Sequence, residues 1–445
     1  MTSSKSKLSL IVYYFFALLI IFLPLQRLIE QILLFRFHFS SSLAFWTTHF
    51  YEPLIIIVLL TNFILLIKNR EIKSRTNWIS IVVLLLIVLS VISAFLLSPS
   101  LSRGLEGIRF SIFFLLAFLA GYLSDFDSKQ RDKLINVYLT IAAVIALWAI
   151  LERFLPANYL MKLKLIDPDS CFGYGTHRIG TIWQSVTGIG GPNQLGSYLL
   201  PAIFIAITRV MSLRGESRKA CDEAIYSKRL PQPTDRLRND NFRLKTFLTV
   251  LVIFGITAVI LSFSRSAWAG LYAGFIVYLI LFVKNIKLQV AGLAILIIIA
   301  ALGLNYYLDS PNDILTHGAS SESHQNAYQL SVTEIKNRFE TPVKLIFGSG
   351  IGTAGPAALK YGDGFVSESW YLQLALEIGV LGLLLWLILI ALLLTDLYKK
   401  NQGLFLGLAA VSVTAVFLHT FADNPALSIT LFLLIGILIP KKLKE

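Results

Sequence analysis

The chain has 445 residues, 56% of them hydrophobic and only 15% charged, with a mean hydropathy of +0.71 and a net charge of +13. That balance excludes a soluble multidomain protein of ordinary polarity. The basic excess lies mostly in short segments between apolar runs, where it reads as a topology signal and gives no reason to invoke nucleic acid.

Apolar runs of about 17–25 residues recur, the length that crosses a bilayer. Twelve spans are predicted, at 8–26, 53–67, 77–97, 108–124, 134–153, 193–210, 245–262, 265–283, 287–307, 370–395, 402–420 and 424–440. The expected fold class is therefore an all-α polytopic membrane protein, a single membrane domain over 1–445. The first run is too long for a cleavable signal peptide, and no small-residue cleavage site follows it. With the N-terminus inside, the inner segments hold 26 of the 39 Lys and Arg, leaving 13 outside. Both termini are thus expected on the cytoplasmic side.

Three long loops carry the polar mass. Segment 211–244 is a basic cytoplasmic loop with two prolines, read as a mobile linker that touches anionic lipid or simply anchors topology. Segments 154–192 and 308–369 are external. In the latter, Tyr328, Val332, Ile335 and Phe339 follow helical spacing and predict an amphipathic helix at the outer interface. "FGSGIGTAG" and "YGDG" follow it as glycine-rich turns that let the chain double back. Polar complexity thus gathers on the external face, as expected of an enzyme acting on a lipid-linked substrate.

Cys171 falls outside and Cys221 inside, so they cannot pair, and no zinc spacing appears among the six histidines. External arginines run against the positive-inside bias. Arg178 lies in "THRIGTIW", and Arg265 in "LSFSRSAW", at a very short turn between two spans. Arg presents a planar fork suited to phosphate oxygens, so two fixed arginines could clamp a diphosphate. The plainer account is snorkelling to lipid phosphate. Arg103 and Arg109, in "LSRGLEGIRF", flank the outer start of the fourth span. Arg109 either reaches the same face or anchors the interface. In "GPNQLGSYL", Pro192 and Asn193 are a helix-start signal, with Asn193 either capping or touching substrate.

Glu368 opens "ESWYLQLALEIGVLGLLLWL". A carboxylate there is favoured by the helix dipole. It is also placed to act as a general base. Glu377 lies nine residues on. At about 100° per residue it points away from Glu368, about 13 Å deeper, so the two acids are expected not to pair. Glu377 is read as hydrogen-bonded within the bundle. "DFD" at 125–127 matches a glycosyltransferase tripeptide by chance, since no soluble domain surrounds it. "GSGIG" at 348–352 follows no strand and lacks the Lys-Ser/Thr ending of a phosphate loop.

Taken in order, "RIGTIWQSVTGIGGPNQLGSYL", "LSFSRSAWAGL", the external helix leading to "FGSGIG", and "ESWYLQLALEIGVLGLLLWL" resemble the O-antigen ligase and polymerase superfamily of bacterial envelope glycan assembly. The resemblance is most specific over 178–390. It implies a C-type membrane glycosyltransferase architecture in the bacterial inner membrane, with the active face external. The implied donor is an undecaprenyl diphosphate-linked glycan. The implied acceptor is a hydroxyl of a growing polysaccharide or of lipid A core, with membrane lipids as surroundings and no metal, nucleotide or other cofactor. Onto this chain the family's diphosphate-binding arginines map to Arg178 and Arg265. Ligases carry a His where Glu368 stands, so Glu368 is the implied base and tilts the resemblance towards polymerases. His324 or Arg338 is expected to supply a further positive charge from the external helix. Trp183 and Trp370 are placed to stack on sugar rings or to sit in an aromatic belt, and Tyr371 is grouped with them. The resemblance implies inversion at the anomeric carbon. A small-anion transporter and a scaffold subunit are the alternatives, the former disfavoured by the lack of a visible inverted repeat or broken helix pair.

Overall fold

The computed structural model describes residues 2–68, 77–152, 154, 191–227, 235–309, 318–337, 341–361 and 366–439. Among these, all regular structure is helical. The helices are α1 (Thr2–Phe22), α2 (Gln26–Phe35), α3 (Ser41–Thr48), α4 (Tyr51–Lys68), α5 (Trp78–Leu96), α6 (Leu101–Ser111) and α7 (Phe113–Leu123). They continue with α8 (Ser128–Glu152), α9 (Pro192–Ser227), α10 (Asp235–Leu261), α11 (Arg265–Phe282), α12 (Ile286–Asp309) and α13 (Gly318–Asn337). The last are α14 (Pro342–Phe347), α15 (Pro356–Leu359), α16 (Trp370–Glu377), α17 (Gly379–Lys400), α18 (Gln402–Phe417), α19 (Thr420–Asp423) and α20 (Pro425–Leu438).

Among the described residues, seven helices are long and apolar enough to cross a membrane, or up to nine if each of two bent pairs is one span. Three shorter apolar helices, Ile286–Ala301, Gln402–Phe417 and Pro425–Leu438, accompany them. The chain is thus built as a polytopic membrane protein.

Helix starts follow local chemistry. Asn77 and Ser80 form a reciprocal capping box at α5. Ser100, Ser264, Asn401 and Asn424 cap α6, α11, α18 and α20, and Pro425 occupies the first turn of α20. Small residues bring the central helices together, as in other membrane bundles. A side chain at Gly121 or Gly436 would strike the backbone of the facing helix in the α7–α20 pair. Pro201 of α9 packs on Gly407 of α18 in the same way. Trp370, Trp386, Phe114, Phe421 and Phe432 form one aromatic cluster where α7, α16, α17, α19 and α20 meet.

Three expectations change. The tenth span is not one helix over 370–395: it breaks after Glu377, because Gly379 takes φ +72° against the Ile346 carbonyl. The fourth is likewise bent, by 52° between α6 and α7. The basic segment 211–244 is largely helical where described, continuing α9 to Ser227 and starting α10 at Asp235.

A helix, α13, forms where the amphipathic helix was expected, but its packed face matches the expected stripe only in part. Ser331 is fully buried and Ala327 partly so, while Tyr328 and Leu330 are exposed. Small side chains let α13 lie close to α16; of the periodic pattern Tyr328 is exposed, while Val332 and Ile335 are partly buried. Phe339 lies outside the described residues.

Candidate functional site

Glu368 sits just ahead of α16 with φ +56°, a backbone conformation uncommon for non-glycine residues. It therefore precedes the helix rather than occupying its first turn. Its Oε2 accepts a hydrogen bond from His324 Nδ1 of α13 at 3.1 Å. On the other side, His419 Nδ1 lies 4.0 Å from the same oxygen. His419 stands beyond the end of α18, which stops at Phe417, two residues short of it. Its Nε2 meets Asp423 Oδ2 at 3.2 Å. The order is carboxylate, imidazole, carboxylate, imidazole.

Burial pushes the Glu368 carboxyl up, but the hydrogen bond from His324 and the charges of His419 and His324 outweigh it, leaving it below the ordinary carboxylate value. Burial lowers the His419 imidazole, yet Asp423, and then Glu368 and Glu377, raise it above the ordinary histidine value. Glu368 is thus held ionised, and His419 is held towards its cation.

Hydrogen bonds run from this group to the turn that carries Arg265. Gln194 Nε2 donates to the Asp423 carbonyl, and Asn424 Nδ2 donates to the Gln194 carbonyl at 3.0 Å. The neighbouring Asn193 accepts at Oδ1 from Ser264 Oγ, 2.7 Å away. Ser264 caps α11, whose first residue is the exposed Arg265. So Asn193 fixes the position of that turn.

The other expected residues divide. Arg109 is paired with Glu52 at 2.7 Å and Glu106 at 3.4 Å, and stacks over Phe45. It lines a cleft with His49, Glu52, Ala422 and Pro425, next to the His419–Asp423 segment. Trp370 is fully buried in the aromatic cluster, with Phe114, Trp386 and Phe421 around its ring, so it offers no face to a sugar. Tyr371 is half-buried, and its hydroxyl donates to the Ser412 carbonyl at 2.9 Å. Arg178, Trp183 and Arg338 lie outside the described residues.

Glu377 shares no hydrogen-bond partner with Glu368. It is buried, and it accepts from the Gly352 and Ala354 amides at 3.0 and 3.2 Å and from Ser111 and Gln373. The glycine-rich turn is therefore docked on this acid, where α6 bends into α7 and α16 gives way to α17. Gly350 takes φ +104° where a side chain would meet Ser98.

Sequence reading passed over His419, Asp423 and Gln194. The signal was "HTFADNP", a His and an Asp four residues apart in a polar break between two apolar runs. Among the described residues no group of three His, Cys, Asp or Glu could hold a metal ion. The chain matches no protein-family model, and no curated protein is significantly similar to it.

Proposed function

We propose that this chain is a membrane glycosyltransferase of the O-antigen ligase and polymerase type, with twelve spans, both termini cytoplasmic, in a bacterial inner membrane. It moves a glycan from an undecaprenyl diphosphate carrier to an acceptor hydroxyl. The carrying observation is an ionised carboxylate, Glu368, set between two histidines and joined through Asp423, Gln194 and Asn193 to the turn bearing Arg265. That arrangement offers proton acceptance on a framework that leads to a cation suited to a leaving diphosphate. Arg265, with Arg178, binds the diphosphate and stabilises the charge that develops as it departs. The hydroxyl attacks from the opposite face, inverting the anomeric carbon.

Transport of a small anion is the second reading. It is favoured by the bend between α6 and α7 and the break between α16 and α17, which meet at the buried Glu377. Broken helices at mid-membrane commonly line transport sites.

Incubating the purified chain with undecaprenyl diphosphate oligosaccharide and candidate acceptors separates them. Free carrier diphosphate with a lengthened glycan supports the polymerase, and glycan on lipid A core supports the ligase. Vesicle flux without turnover would favour transport. Arg265→Ala and Glu368→Gln are expected to abolish transfer while leaving folded protein.

A further inference from the structure

Resting on the transfer reaction proposed above, we infer that His324 is the general base and that Glu368 orients it, with the charge of His419, backed by Asp423, beside Glu368. Glu368 Oε2 lies 3.1 Å from His324 Nδ1. An ionised carboxylate has no hydrogen to give, so Nδ1 carries the proton and the basic lone pair sits on Nε2. A carboxylate that fixes one imidazole nitrogen so that the other takes a hydroxyl proton is a recurrent division of labour.

Exposure agrees with that assignment. The His324 side chain is 37% exposed and that of Glu368 24%, with the imidazole on the external helix. Oε2 already faces a second imidazole, that of His419, which is itself backed by Asp423. A carboxylate stabilised from both sides gains little by taking another proton, whereas imidazole is a base suited to neutral pH.

The step balances without a further reactant. The acceptor O–H bond breaks and its proton goes to His324 Nε2. An oxygen lone pair forms the new bond to the anomeric carbon. The anomeric C–O bond to the diphosphate breaks, and its electron pair leaves with the diphosphate. His324 then returns its proton to the departing diphosphate or to water. Nothing is oxidised or reduced. The charged group against His324 is Glu368; behind it stand His419 and then Asp423 from the α18–α20 turn, with the charge of Glu377 also acting on His419.

The test uses the full chain in lipid vesicles with undecaprenyl diphosphate oligosaccharide and an acceptor glycan. His324→Ala is expected to lower kcat by about 10²–10⁴-fold, with little change in donor KM. Added imidazole should restore part of the rate, and the pH profile of the rescued enzyme should follow the pKa of the imidazole supplied. His324→Gln, which keeps a donor towards Glu368, should lose the rate equally and melt like the parent. Near-parental kcat in either variant overturns the base role. So does loss of rate with no imidazole rescue in a His324→Ala protein of unchanged melting temperature. Absence of turnover in the parent chain sinks the transfer reaction, and the base role with it. Turnover by the parent with unimpaired His324 variants sinks the base role alone.

Discussion

Ser111 and Glu377, 266 positions apart, meet where α6 bends into α7 and α16 breaks before α17: Ser111 Oγ donates to Glu377 Oε2 at 3.3 Å. Gln373 Nε2 bridges them, donating to Ser111 Oγ at 2.9 Å and to Glu377 Oε2 at 3.2 Å. The other oxygen takes two amides of the glycine-rich turn. Glu377→Ala orphans those amides, each worth about 1–3 kcal/mol when buried without a partner. Glu377→Gln keeps the shape and an acceptor oxygen, and should cost about 1 kcal/mol. Thermal melting in detergent checks the ranking, and a Glu377→Ala protein as stable as the parent would remove the anchoring role.

The break at residue 378 makes its own prediction. Gly379→Ala places a methyl against the Ile346 carbonyl in a left-handed backbone conformation. Strain of this kind costs of the order of 1–3 kcal/mol, before the clash is counted. Gly350→Ala should behave alike, because Ser98 backbone fills the space. Limited proteolysis of the glycine-rich turn is the readout, with earlier cleavage expected in both variants.

Arg109 is held by two acids, and its role is separable by a double-mutant cycle. Arg109→Ala should destabilise the fold, because Glu52, with its side chain only 20% exposed, loses its cation. Glu52→Gln in that background should recover part of the loss. An Arg109→Ala protein of parental melting temperature but raised donor KM would assign the arginine to substrate instead.

The histidine–carboxylate group fixes a pH dependence. His419 has a folded value raised above 6.5, so its contribution is fully present below that pH and fades as pH rises through the folded value. Glu368 has a folded value lowered below 4.5, so its contribution is present above that pH and fades as pH falls through the folded value. Local stability should therefore be greatest between about pH 4.5 and 6.5 and decline towards alkaline pH. Melting curves of the parent and of His419→Gln should differ most within that window and converge above it. Parallel curves at every pH would refute the coupling.

Composition and period made the membrane class legible, because hydrocarbon demands long apolar helices wherever it is crossed. Breaks inside apolar runs were not legible. "LEIGVLG" looks continuous by hydropathy, and only the contact with Ile346 decides that Gly379 ends one helix and starts another. The separation of Glu368 from Glu377 was anticipated from helical rotation, although Glu368 proves to lie outside the helix. His324 was noted for its charge, but its carboxylate partner depends on how α13 crosses α16, which periodicity does not encode. His419 and Asp423 were hidden for a similar reason: a four-residue spacing on a short turn has meaning only once Glu368 stands beside it.

The positive φ of Glu368 bears on how this position can change over time. Asn, Asp and His tolerate such a backbone better than most side chains. Glu is not among them, so an imidazole at residue 368 would fit the backbone of this turn at least as readily as the carboxylate that stands there.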